Sequence, residues 1–146
     1  ADTNGAWSDL LREAPVSVRR DGVRIGDRDI AADDLAVLLV YPRPGSDRAL
    51  VGAVSGTGLP GMRLTERLPY FVSGVAYPDW IVMDTGVLRD GTAGIRAAGF
   101  FDNDWQIDPA QSAWREAGGP RDTPTDHHGS ATEPTPADRS TAAERK

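Results

Sequence analysis

The sequence predicts an α/β fold: one small domain on a mixed sheet of about five or six strands with short flanking helices, followed by a disordered C-terminal tail. Three observations predict it. Two almost uninterrupted apolar runs, LAVLLVY at 35–41 and ALVGAV at 49–54, lack polar alternation and suit neighbouring central strands covered on both faces. Short stretches with helical spacing sit between strand candidates. From Pro120 onward no aromatic or branched aliphatic residue occurs, so little apolar surface is available to offset an ordering cost of roughly 1–2 kcal/mol per residue. These set a domain over residues 1–118 and a disordered Pro-, Thr- and Asp-rich tail over 119–146.

In chain order, residues 4–14 read as a short amphipathic helix, with Asn4 or a neighbour as cap and Trp7, Leu10, Leu11 and Ala14 at helical spacing until Pro15 stops it. Val16 and Val18, the Asp21-Gly22 pair, then Val23 and Ile25 give the signal of a tight hairpin. A further ribbon segment reaches Ile30. The two central runs follow, separated by the turn cluster PRPGSD at 42–47. Residues 62–68 make about two helical turns before Pro69. Pro78 turns the chain into a strand over 80–83, a Gly- and Asp-rich loop covers 88–94, and IRAAGFF at 95–101 is the last strand expected. Asp108-Pro109 is a good helix start, which places a final helix over 110–117 ending at Gly118-Gly119.

The composition narrows the function. The 146 residues carry a net charge of −6, and the 16 basic residues are all arginine except Lys146, spread among acids rather than gathered in a patch. A nucleic-acid partner is not expected. No apolar run approaches the roughly 20 residues that span a bilayer, and the N-terminal stretch lacks the regions of a signal peptide, so a soluble chain without a membrane partner is expected. The chain begins at Ala1 without Met, and a processed or excised piece of a larger protein is the expectation. The absence of Cys excludes disulfides and thiol chemistry within it.

Candidate chemistry is sparse. Both histidines, His127 and His128, fall in the tail, so no core-held imidazole is available as base or ligand and no Ser-His-Asp triad is expected. The segment Phe71-Val72-Ser73-Gly74-Val75 has Phe where a nucleophile elbow needs Gly, and reads as a turn. Asp79, Asp84, Asp102 and Asp104 lie at strand ends, where a carboxylate pair could hold a divalent ion or act as acid and base, although Asp at such positions caps turns first. The clustered aromatics Tyr70, Tyr77, Trp80 and Trp105 suit a core better than a carbohydrate or peptide surface.

One motif carries a cofactor alternative. Gly56-Thr57-Gly58-x-x-Gly61 follows a buried strand and precedes a helix, and Asp84 stands near the end of the next strand, where a dinucleotide site places its ribose contact. Pro60 directly before the third glycine and a helix stopped at Pro69 weigh against it. Glycines that permit a tight strand exit are the preferred reading, so no cofactor is expected; nucleotide or anion binding by Gly56, Thr57, Gly58, Gly61 and Asp84 is the alternative.

The order of Asn4 and Trp7 on a first helix, LAVLLVYPRPGSDRALVGAVSGTG, YPDWIVMDTG and AAGFFDNDW resembles the C-terminal region of large bacterial proteins of the prolyl oligopeptidase-like, α/β-hydrolase type. The resemblance covers residues 4–107. It departs at Arg43, where that family commonly has Asn between the two prolines, and it lacks the strand that often precedes the first helix there, which would leave a sheet edge exposed. The catalytic Ser, Asp and His of those proteins lie outside this region, so no catalytic residue carries over. The resemblance implies a non-catalytic accessory α/β layer whose partner is a serine hydrolase domain encoded upstream.

Overall fold

A computed structural model describes residues 5–70, 72–74 and 76–115. Its elements in order are helix α1 (Gly5–Leu10), strands β1 (Val16–Arg19), β2 (Gly22–Ile25), β3 (Arg28–Ala31), β4 (Ala36–Pro42) and β5 (Leu50–Gly56), helix α2 (Gly58–Thr65), strand β6 (Trp80–Met83), the single turn α3 (Val87–Asp90) with a 3-10 turn Gly91–Gly94, and strands β7 (Ile95–Phe101) and β8 (Ile107–Trp114).

The α/β expectation is overturned. The chain is mostly β, in two antiparallel sheets ordered β1-β2-β3 and β5-β4-β6-β7-β8. The physical reason lies in the path around β4. The strand–helix–strand run β5-α2-β6 reads as a parallel crossover, yet β4 lies between β5 and β6 and pairs antiparallel with each, Leu39 facing Ala53 on one side and Trp80 on the other. A helix between two strands sets their relative direction but does not make them neighbours.

Strand β4 is nevertheless buried on both faces, as its apolar run requires. Leu35, Val37, Leu39 and Tyr41 join Val16, Val18, Val23 and Ile25 of the small sheet, with Trp80, Val82, Ala97 and Phe101, in one core. On the opposite face Leu38, Ile81 and Met83 pack with Val54, Leu68, Tyr70, Tyr77, Val87 and Ile95. Strand β5 is an edge strand rather than a central one, and half-exposed along most of its length.

The expected hairpin is present, with Val18 opposite Val23 and Arg19 opposite Gly22, and Gly26 (φ 57°) turns the chain into β3. Helix α1 is shorter than expected, and Asn4 lies outside the described residues. The greatest local correction is at the C-terminal end, where 107–114 is strand β8 and not a helix. Asp108 Oδ1 accepts the Ala110 N–H (2.8 Å), a side-chain turn that competes with a helical first turn. Extension brings Trp114 onto Trp80, ring centroids 5.7 Å apart, and Ile107 onto the core. That packing outweighs weak helix propensity. The expected tail begins beyond the described residues.

On the outer face of the small sheet, Asp29 takes Arg19 Nη2 (2.8 Å) and Arg24 Nη2 (2.9 Å). Hydrogen bonds from Arg24 and then Arg19 hold its carboxyl at about 2, below the ordinary 3.8. A depressed carboxyl value stabilises the fold above the unfolded value and ceases to do so as pH falls through the folded one. Replacing Asp29 by Asn is therefore expected to lower Tm slightly from about pH 7 to about pH 5, with the gap to the wild type closing between about pH 4 and about pH 2 in pH-resolved melts.

The strand–helix corner leaves no room for side chains. A Cβ on Gly56 would meet the Gly61 carbonyl oxygen at 2.5 Å and the Met62 nitrogen at 2.6 Å, and one on Gly61 would strike the Leu35 carbonyl. These are backbone atoms that cannot swing aside. Gly56→Ala and Gly61→Ala should each destabilise by about 1–3 kcal/mol in urea unfolding, whereas Gly5→Ala, with open space around it, should stay within about 0.5 kcal/mol of the wild type.

Candidate functional site

The glycine corner is built from backbone demands. Thr57 is fully buried, its Oγ1 accepting the Leu35 N–H (2.9 Å) while its own N–H donates to the Leu35 carbonyl (2.8 Å). Gly58 has φ 50° and donates to the Arg20 carbonyl (2.9 Å), and Gly61 donates to the Thr57 carbonyl (3.1 Å). Pro60 has no N–H to offer. Of the peptide donors a phosphate would need, those of Thr57 and Gly58 join the corner to the start of β4 and to the small sheet, and that of Gly61 closes the first turn of α2.

Asp84 is engaged elsewhere. Its Oδ1 accepts the Gly86 N–H (2.8 Å) and its Oδ2 lies 3.6 Å from Arg96 Nη1. Of the other nominated carboxylates, Asp79 ties the start of β6 to the end of β7 and Asp102 serves a turn. Asp79 Oδ2 accepts the Phe101 N–H (3.0 Å), and Asp102 Oδ1 accepts the Asp104 and Gln106 N–H groups (both 2.9 Å). The Asp102 turn holds Trp105 at φ 59°, a conformation rare for a bulky residue, with its ring 5.9 Å from Tyr41 and 6.0 Å from Phe101. Among the described residues no group of three or more His, Asp or Glu is placed to hold a metal ion. His127 and His128 lie outside them, as do Phe71 and Val75 beside Ser73.

Two surfaces remain that the sequence did not nominate. The first crosses α2 and α3, where Leu59, Pro60, Arg63, Leu64, Arg67, Thr85 and Leu88 line a concavity of about 280 Å³. Leu59 is 62% exposed, Leu88 51% and neighbouring Met62 48%. Their i, i+3 spacing along α2 was visible, but Leu88 enters only through the fold.

The second lies between the two sheets. Strand β3, Arg96, Trp114 and Arg115 line a concavity of about 370 Å³. A neighbouring one of about 420 Å³, lined in part by Pro15, Gln106, Ile107 and Pro109, shares Arg28 and Trp114 with it. The Arg28 guanidinium sits 4.7 Å from the Trp114 ring centroid and divides the groove. Positions 28, 96 and 114 are too far apart in the chain for any motif to have joined them, and the helix expected over 110–117 concealed Trp114.

No helix among the described residues is long and apolar enough to cross a membrane. No family model matches the chain, and no solved structure does. Among curated proteins the chain is similar to an uncharacterized secreted protein of Arthroderma benhamiae, with 31% identity over 71 residues, which is 49% of this chain and 8% of the relative. The match thus spans a small part of a much longer protein.

Proposed function

We propose that the chain is a non-catalytic interaction module of a longer secreted protein, packed through its α2–α3 face against a serine hydrolase domain of the same polypeptide. The observation that carries this reading is the exposure of Leu59 and Leu88 in one concavity, with exposed Met62 three residues on from Leu59 along α2, apolar surface that a neighbouring domain would cover. Arg63 and Arg67 at its margin suit a polar rim. The 8% share of the secreted relative supports a part of a larger assembly, and that relative's name supports an extracellular setting. The hydrolase partner rests on the resemblance of residues 4–107. The nucleotide alternative is disfavoured because the peptide donors of its glycine turn already have carbonyl partners.

The joint replacement Leu59→Asp and Leu88→Asp should leave the melting of the isolated chain nearly unchanged, since both side chains are exposed, and should weaken its association with the separately expressed upstream region by about tenfold or more. Undiminished association would overturn the assigned face. The isolated chain should turn over a fluorogenic ester no faster than buffer, and an upstream reading frame without a G-x-S-x-G strand–turn–helix would remove the hydrolase from the proposal.

A further inference from the structure

We infer that the groove between β3 and β8 binds an extended acidic peptide of a partner protein, which adds as a strand to the edge of β3 left open among the described residues. This site is separate from the α2–α3 face and does not depend on it.

The backbone supplies the first half of the argument. Strand β3 is an edge of its sheet, and all four of its residues line the groove. Ala32 N–H donates to the Asp21 carbonyl (3.1 Å), which continues the β2–β3 register of Val23 opposite Ile30 and Ile25 opposite Arg28. Antiparallel ladders alternate, so Arg28 and Ile30 direct their peptide groups at β2 while Asp29 and Ala31 direct theirs at the open edge. Such an edge is a ready template for an added strand.

Charge supplies the second half. Arg28, Arg96 and Arg115 line the same concavity, in a chain whose net charge is −6. The carboxylate of Asp29, the acidic residue in that lining, is held by Arg19 and Arg24 of the neighbouring strands. Arg96 is largely buried, paired with Asp84 at 3.6 Å and donating from Nε to the Arg115 carbonyl (3.5 Å), so the charge directed at an added strand is that of Arg28. Ile30 packs against the core, so Arg28, two residues away, shares its face of β3 and reaches Trp114. A strand added beside β3 places every second side chain on that face, where acidic residues would meet Arg28 and apolar stems the Trp114 ring. A nucleic acid or sulfated polysaccharide would supply the charge but not the backbone pairing.

The probe is a capped six-residue peptide alternating Glu and Val, titrated into the full chain with Trp fluorescence as readout, alongside amide hydrogen exchange. Saturable micromolar binding is expected, with slowed exchange at the Asp29 and Ala31 amides. It should weaken about tenfold or more in Arg28→Glu and when the glutamates of the peptide are replaced by lysines. Exchange provides the check independent of any variant. Absence of binding, binding that leaves those two amides unprotected, or equal binding of a short heparin fragment would each overturn the inference. So would slow exchange at both amides before peptide is added, because the edge would then already be filled.

Discussion

Strand β4 has to be dry on both sides, and most of the architecture answers that requirement. Its odd-numbered residues from Leu35 to Tyr41 need a cover that its own sheet cannot give, and the β1-β2-β3 ribbon provides it. Its even side, at Leu38, needs another, and Leu68, Tyr70, Tyr77 and Val87 provide that. The glycine corner makes the second cover possible. Only with Gly56, Gly58 and Gly61 can the chain leave β5, pass within contact of the backbone at Asp33 and Leu35, and start a helix at once. Buried Thr57 then joins that corner back to Leu35 through both its side chain and its peptide N–H. A backbone buried this closely must have its polar groups paired internally, which is why the corner's donors are already engaged.

Local features of the fold were legible, because local physics determines them. The strands at 80–83 and 95–101, the hairpin at Val16–Ile25 and the apolar run of β4 follow from period and turn chemistry. Neighbour relations were not. Residues 50–83 read strand, helix, strand whether or not a third strand lies between, so the sequence could not separate a parallel sheet from the antiparallel order β5-β4-β6. At 110–114 the local signals favoured a helix, and the deciding term was non-local: Trp114 on Trp80 and Ala113 opposite Ala98. The candidate sites follow the same division. Carboxylates at strand ends were visible; Asp84 and Asp102 accept turn N–H groups and Asp79 ties β6 to β7. The groove needs Arg28, Arg96 and Trp114 from three strands of two sheets, and no spacing rule joins them.

Two sheets with open ends present four edges, and an unguarded edge recruits other strands. The guards differ along this chain. Strand β8 carries Pro109, which has no N–H to donate, together with Asp108, whose carboxylate is directed at the Ala110 N–H and the Gln111 side chain; the first half of that edge is therefore a poor template. Strand β3 has no proline and no bulge in its register with β2. Its protection is charge alone, from Arg28 and Asp29. Charge repels indiscriminate pairing, but it admits a strand bearing the opposite sign on the appropriate face. On the binding inferred for this edge, Arg28 would favour an incoming strand with acidic residues on the Trp114 side, and that preference of sign is what would distinguish a recognition edge from an aggregation hazard.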